Sequence, residues 1–293
     1  MSEPVTSRVP HATALSPASI GVVGRGRAGT ALAAALRTAG LEVDGPTGRG
    51  EGPSGEALLL CVPDSEIPAA AATVARASNA RLVGHVSGAT PLSALAPAGA
   101  AGAELFGLHP LQTLSGPEAP SLAGAGCAVA GSTPYATATA AALARRLGMR
   151  PFEVDDARRA SYHAAASIAS NFLVTLEGAA EAVAGEAGFG PEEARALLAP
   201  LVRRTVENWA ARGPEHALTG PVARGDEHTV TVQRAAVAGA DPALVPLFDA
   251  LVERTRALAA RSRAGDDVST APRRAAGSGP DEATARSPLG AAA

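Results

Sequence analysis

The chain is expected to fold as an α/β protein, a doubly wound, mostly parallel sheet followed by an all-α C-terminal domain. Three observations predict this. Short apolar runs alternate with helical stretches up to about residue 155. The first of these runs ends in a glycine turn that opens directly into an alanine-rich helix. From residue 156 onward the strand-like runs stop and long alanine-rich stretches take over.

Residues 1–17 contain Pro4, Pro10 and Pro17 and no apolar stretch of signal-peptide length, so they read as a disordered lead-in. A nucleotide-binding domain is then expected over 18–155. Its first strand is 20–23, with the helix after it beginning near residue 27. Strands follow at 41–44 and 57–62, and Asp64 or Ser65 can cap a helix that runs to Ala77. Further strands are expected at 81–86, 104–108, 127–130 and 150–154, with a helix over 134–147. The second domain, 156–264, is built from helices at about 157–187, 191–211, 227–239 and 242–262. Gly188-Phe-Gly-Pro191 and Gly213-Pro214 separate them. Residues 265–293, rich in Ala, Ser, Pro, Gly and charge, read as a disordered tail.

Composition removes several function classes. The formal net charge is −3 and only 3% of residues are aromatic, so neither a basic stripe nor a stacking platform for nucleic acid is expected. No lysine occurs, and all 25 basic side chains are arginine. That excludes a Walker-type phosphate loop and Schiff-base catalysis. No apolar run approaches the roughly 20 residues of a membrane helix. Cys61 and Cys127 lie in apolar strand-like runs and read as reduced, buried thiols, which points to the cytoplasm. No metal-ligand spacing surrounds any histidine.

Gly24-Arg25-Gly26-Arg27-Ala28-Gly29 has the spacing of a dinucleotide loop. The first glycine permits the tight turn, the second lets the backbone approach a pyrophosphate, and the third lets helix pack on strand. The end of the second strand should report on the ribose. Arg49, with Thr47 and Arg25, suits the 2′-phosphate of NADP, whereas Asp44 would suit NAD. NADP is therefore the expected cofactor and NAD the less favoured one.

Ligands of a doubly wound sheet lie beyond the carboxyl ends of its strands. Three segments there carry polar groups: Val62-Pro63-Asp64, His85-Val-Ser87-Gly88 and His109-Pro110-Leu-Gln112-Thr113. Val62, Pro63, Asp64 and Ser87 are assigned to the cofactor, His109 to catalysis and Gln112 to the substrate. On the first long helix His163, Ser167, Ser170 and Asn171 fall within about 100° of arc. Either they form an interhelical hydrogen-bond cluster or they face a substrate. In the second case His163 donates a proton to a carbonyl or imine, Asn171 orients it, and Ser167 and Ser170 bind substrate. Gly220-Pro-Val-Ala-Arg224-Gly-Asp226 precedes another helix. Asp226 is its natural N-cap, and Arg224 is a candidate for a substrate carboxylate.

Taken in order and spacing over residues 18 to 262, these motifs resemble the bacterial proteins in which a Rossmann-like domain precedes a DUF2520 domain. That family is similar, at a distance, to pyrroline-5-carboxylate reductase, ketopantoate reductase and the 6-phosphogluconate or β-hydroxyacid dehydrogenases. The resemblance implies an NADP-binding domain, a helical domain that makes a homodimer, and an active site between the two. It further implies an oxidoreductase that reduces a small carboxylate-bearing carbonyl or imine, ketopantoate-like or pyrroline-carboxylate-like. The chain departs from that pattern at one position. The dehydrogenases and ketopantoate reductases use a helical lysine, often four residues before an asparagine, and the corresponding residue here is Ser167. An unshifted serine is a poor acid, so reduction would have to draw its proton from His163, His109 or water. The competing function class is a non-catalytic dinucleotide sensor or assembly protein.

Overall fold

The computed structural model describes residues 16–114 and 121–270, with side chains to residue 263. Most of the expected lead-in and tail therefore lies outside the described residues. The chain divides into two compact units at Val174/Thr175, so the first helix of the helical region groups with the sheet.

Seven strands form one sheet: β1 (Ser19–Val23), β2 (Glu42–Thr47), β3 (Ala57–Leu60), β4 (Leu82–His85), β5 (Glu104–Pro110), β6 (Gly126–Gly131) and β7 (Arg150–Glu153). Their order is β2-β1-β3-β4-β5-β6-β7. Every neighbouring pair is parallel except β5 with β6. Because β2 lies on one side of β1 and β3 on the other, the chain reverses direction across the sheet at β1, which opens a crevice at the carboxyl ends of β1 and β3.

Burial on both faces explains the apolar runs. Alternate side chains of β3 point to opposite sides, and both sides are covered. Leu59 joins the core made with Leu32 and Leu36 of α1 (Arg27–Thr38) and Leu143 of α4 (Pro134–Arg146). Leu58 and Leu60 join the core made with Ile67 and Val74 of α2 (Ile67–Ala77) and Ala98 of α3 (Ala96–Ala100). A strand sandwiched in this way has no polar positions to spare.

The helical region runs from α5 (Arg159–Ala169) through α6 (Asn171–Glu186), α7 (Pro191–Ala217), α8 (Pro221–Arg224), α9 (Glu227–Ala240) and α10 (Val245–Thr270). Two expectations are corrected. The helix foreseen over 157–187 breaks at Ser170, whose φ of −123° and ψ of −72° end α5 before α6 begins. Within α7 the break expected at Gly213-Pro214 is present, Gly213 leaving helical geometry at φ 75° and ψ 169°. Asp64 caps nothing, because no side chain caps the turn at Asp64–Glu66 and its carboxylate is used elsewhere. By contrast Asp226 does cap α9, accepting the Thr229 N–H at 3.0 Å.

Leu59 is 1% exposed at the centre of the sheet. Leu59→Ala should cost about 3 kcal/mol of stability through lost transfer energy and a residual cavity. Urea unfolding followed by circular dichroism would read this as a lower midpoint at unchanged slope.

Candidate functional site

The parallel register fixes which residues emerge at the carboxyl edge. Val23 of β1 pairs with Leu60 of β3, Leu60 with His85 of β4, and His85 with Gly107 of β5. Just beyond that row Gly24, Val62 and Ser87 have left the sheet, while His109 at the corresponding place is still within β5, paired with Ala128 of β6.

At the β1 end the three glycines of the turn have different surroundings. Gly24 has φ 111°, and a Cβ there would lie 2.3 Å from the Cys61 carbonyl oxygen. A Cβ on Gly29 would lie 1.8 Å from the Gly24 oxygen. Both are therefore demanded by packing. Around Gly26 nothing among the described residues lies within 4 Å of such an atom, so it leaves an open side there. Gly26 is also the N-cap of α1, and no side chain caps that helix end and no acidic residue lies in its first turn. The N–H groups of Arg27, Ala28 and Gly29 consequently have no intrahelical acceptor, which is the electrostatic and hydrogen-bonding condition for holding an anion.

A cavity of about 470 Å³ opens beside this turn, bounded by Gly24, Arg25 and Gly26, by Thr47 and Arg49, and by Val62 and Pro63. Of the groups expected to read a ribose phosphate, Arg25 donates from its single Nη2 to both Glu51 carboxylate oxygens, at 2.7 and 2.8 Å, and from Nε to the Pro46 carbonyl at 3.2 Å. Arg49 projects into solvent, 90% exposed, with Glu66 as its partner at 3.2 Å. The buried Thr47 hydroxyl donates to the Val22 carbonyl, so it holds β2 to β1. Asp44 is occupied on the Ser54 side, its carboxylate accepting from the Ser54 N–H at 2.8 Å and from the Ser54 hydroxyl at 2.7 Å. These bonds hold its carboxyl below the usual range.

From Pro63 the chain passes to Asp64, and a second group of polar residues begins. The Ser87 hydroxyl donates to Asp64 Oδ2 at 2.8 Å and accepts from the Thr90 N–H at 2.9 Å. The Ser87 N–H donates to His85 Nδ1 at 3.2 Å. The neutral imidazole of His85 must therefore carry its proton on Nε2. Beside it, the Tyr162 hydroxyl lies 2.7 Å from His109 Nδ1. The His109 and His163 ring centres are 6.3 Å apart. Gly88 makes room for this arrangement, since a Cβ there would lie 2.6 Å from His109 Cε1.

Burial dominates the acid–base properties of this cluster. It pushes His85 and His109 down to about 4, and the neighbouring charge adds to the effect, from Arg159 on His85 and from His163 on His109. Burial likewise pushes the Tyr162 phenol up to about 12. At neutral pH His109 and Tyr162 are both uncharged. A neutral phenol is the better donor and an imidazole nitrogen the better acceptor, so the Tyr162 O–H points at Nδ1 and His109 is left with Nε2–H as a free donor. Cys61 and Cys127 are buried thiols pushed up to about 12 and are chemically quiet.

The other expected residues are distributed unevenly. Ser167 follows His163 on α5 and is half-buried, Ser170 is half-buried at the break itself, and Asn171 is exposed and opens α6 beyond it. The helical-face argument therefore covers His163 and Ser167 and stops short of Ser170 and Asn171. Gln112 is turned into its own loop, its Oε1 accepting the Thr113 N–H at 2.9 Å. Arg224 closes α8 in the second compact unit. Two members of the cluster, Tyr162 and Arg159, were not among the expected site residues. Their signal is positional, because Arg159, Tyr162 and His163 recur at helical spacing. It was masked by the run Asp155-Asp156-Ala-Arg158-Arg159, which reads as solvated charge.

Residues 125–255 match the family described as Domain of unknown function (DUF2520). No curated protein matches the chain. Among solved structures, a Bacteroides fragilis protein named as a candidate NADP oxidoreductase superposes with a TM-score of 0.71 at 20% identity, over 83% of this chain and 99% of the other. Pyrroline carboxylate reductase of Plasmodium falciparum, solved with NADP bound, gives 0.55 at 11% identity over 82% and 98%. Reductive aminase of Aspergillus terreus, solved with NADPH and ethyl levulinate, gives 0.56 at 19% identity over 82% and 93%. At these identities the likeness is one of fold, a Rossmann-like sheet followed by helices.

The fully buried His85 sets a pH dependence of stability. Above its ordinary value of 6.5 both folded and unfolded chains leave it neutral. As pH falls from 6.5 toward 4, the unfolded chain takes up a proton that the folded chain refuses, so stability is lost through that window. The loss should reach roughly 3 kcal/mol from this residue. His85→Asn, which keeps an acceptor for the Ser87 N–H, should flatten the slope between pH 6.5 and 4. Urea midpoints measured at pH 7 and 4.5 on both proteins would check it.

Proposed function

We propose that this chain, which carries a DUF2520 domain at residues 125–255 behind a Rossmann-like sheet, is an NADP-dependent oxidoreductase. Its substrate is a small carboxylate-bearing carbonyl or imine compound, ketopantoate-like or pyrroline-carboxylate-like. The observation that carries this reading is adjacency at one sheet edge. An open glycine turn with an uncapped helix beside a cavity meets, through Pro63-Asp64, the group around His85 and His109, two imidazoles that burial keeps neutral. The cofactors and activities of the structural relatives named above agree with it.

The residues present fit a dinucleotide. Gly26 leaves the space that a side chain would fill, and the N-terminus of α1 has free N–H groups for a pyrophosphate. A 2′-phosphate would fall to Arg25 and Arg49. Arg25 is held by a surface ion pair with Glu51, worth at most about 1 kcal/mol, and by one bond from Nε to the Pro46 carbonyl, so exchanging the carboxylate for a phosphate costs little. Asp44, the group that would prefer an unphosphorylated ribose, is held by Ser54. When bound, the reduced nicotinamide supplies the hydride.

The chain's own side chains then supply the proton and the orientation. His163 delivers a proton to the carbonyl oxygen or imine nitrogen as the carbon is reduced. His109, kept neutral by burial and fixed by Tyr162, donates a hydrogen bond through Nε2 to the same atom. Asn171 orients the substrate, with Ser167 and Ser170 beside it. We also propose a homodimer through the helical region. Leu197, Leu201, Val206 and Trp209 of α7 are all more than 40% exposed, a large apolar display for a monomer. Leu201→Glu should lower the mass in light-scattering chromatography to that of one chain.

Titration with NADPH and NADH, followed by cofactor fluorescence, should give tighter binding of NADPH, and Gly26→Val should abolish both. A panel of 2-keto acids and cyclic imines added to the saturated protein should oxidise NADPH. His163→Ala or Asn171→Ala should lower turnover by about 10²–10⁴-fold while leaving cofactor affinity within a few-fold. Binding without oxidation by any compound would favour the sensor. Absence of binding would sink the dinucleotide reading.

A further inference from the structure

Arg159 is unusual among the ion-paired arginines of this chain. Its side chain is 5% exposed, whereas every other arginine in an ion pair among the described residues is at least 48% exposed. Its one hydrogen bond is Nε to Asp156 Oδ1, at 2.5 Å. A guanidinium has five N–H donors, and the four on the terminal amino groups find no acceptor among the described residues. The terminal amino groups are not sealed from solvent, and Asp156, itself 56% exposed, is the one counter-charge in contact with the guanidinium. The side chain is thus packed into the fold with donors that the described residues do not use.

Its position supplies a reason. Arg159 stands three and four positions before Tyr162 and His163, so the three side chains share one face of α5. Tyr162 touches His109, and the rings of His109 and His163 are close neighbours. The Arg159 charge is felt at His85, at His109 and at Tyr162. The cation therefore belongs to the same cluster as the proposed proton donors.

We propose that Arg159 is the anchor for the substrate's carboxylate, binding it through both terminal amino groups and so presenting the adjacent carbonyl or imine to His109 and His163. This deepens the function proposed above and rests on it. The fork geometry of a guanidinium matches a carboxylate with two parallel hydrogen bonds. A monoanion suits the site better than a phosphate dianion, because Asp64 and Asp156 already bring two carboxylates to its vicinity. The anchoring role moves from Arg224, the residue that sequence alone favoured, to a buried arginine beside the chemistry. Arg159 is then a specificity residue. Acids are accepted, and their neutral amides are refused because they leave the buried charge unmatched.

Oxamate and oxamide are a suitable pair of probes, since neither is reduced at the keto position and they differ in one carboxylate against one amide. Their dissociation constants should be measured by calorimetry on the full chain, with and without saturating NADPH. Wild type should bind oxamate at least tenfold more tightly than oxamide. Arg159→Gln should erase that preference, Arg159→Lys should keep part of it, and Arg224→Gln should leave it intact. A purely structural Arg159 would alter the melting temperature of its variants without changing the ratio. If wild type shows no preference for oxamate, or if Arg224→Gln removes it, the assignment is overturned, and the wild-type comparison decides this even should Arg159→Gln fail to fold. If oxamate binds through Arg159 but NADPH does not bind, the anion site stands and the reductase reading falls.

Discussion

The lateral alignment of four strand ends determines everything else about the site. Val23, Leu60, His85 and Gly107 lie in one hydrogen-bonded row, and a parallel sheet covered on both faces allows polar side chains only beyond such a row. The covering is strict here. Every residue of β3 and β4 is buried, so β4 has room for a histidine only at its last position. The polar groups past the row are consequently concentrated at one edge. The glycine turn comes after β1, Val62-Pro63-Asp64 after β3 and Ser87-Gly88 after β4, and His109 lies near the end of β5. A slip of one residue in any pairing would reverse which side chains reach the edge and which enter the core.

Within that edge the two halves rest on opposite physical conditions. The glycine turn works by exposure. Gly24 and Gly29 are packed so closely that only hydrogen fits, and this brings the uncapped end of α1 up to an open space at Gly26. The histidine cluster works by burial. Loss of water holds His85 and His109 neutral, and Ser87 fixes the geometry by bonding His85 through its N–H and Asp64 through its hydroxyl. A neutral imidazole with its proton on a defined nitrogen is a directional donor, which a solvated imidazolium is not.

Much of this was legible in the sequence because the signals were local. The glycine spacing, the apolar runs and the cap at Asp226 each depend on a few adjacent residues, and the structure has them at the expected positions. Asp226 capped as expected because its partner, Thr229, is three residues away. Asp64 did not, because a distant residue competed for it: Ser87 is separated by a whole helix and strand in sequence but is a neighbour in the sheet. The break at Ser170 was invisible for a related reason. Alanine-rich sequence on both sides favours helix, and nothing local such as glycine or proline marks the interruption. Arg159 escaped notice because a charge run is ordinarily solvated, and burial is a property of the packed fold that no spacing encodes.

The absence of lysine gives the placement of the remaining cations its meaning. A helical lysine can serve both as the positive charge that holds an anion and as the acid that gives up a proton, because its amine is compact and titrates when buried. A guanidinium cannot do the second, since it does not deprotonate in proteins. In the mechanism proposed above, with Ser167 where the similar dehydrogenases have a lysine, the two tasks are divided. The permanent charge goes to a residue that never titrates, and the transferable proton goes to one that does. The roles proposed for Arg159 and for the His163–His109 pair are such a division, with Arg159 and His163 one helical turn apart on α5. Separating them also separates their failures. Losing the charge weakens the grip on an anion, whereas losing the proton donor slows the reaction of a substrate that is still correctly held.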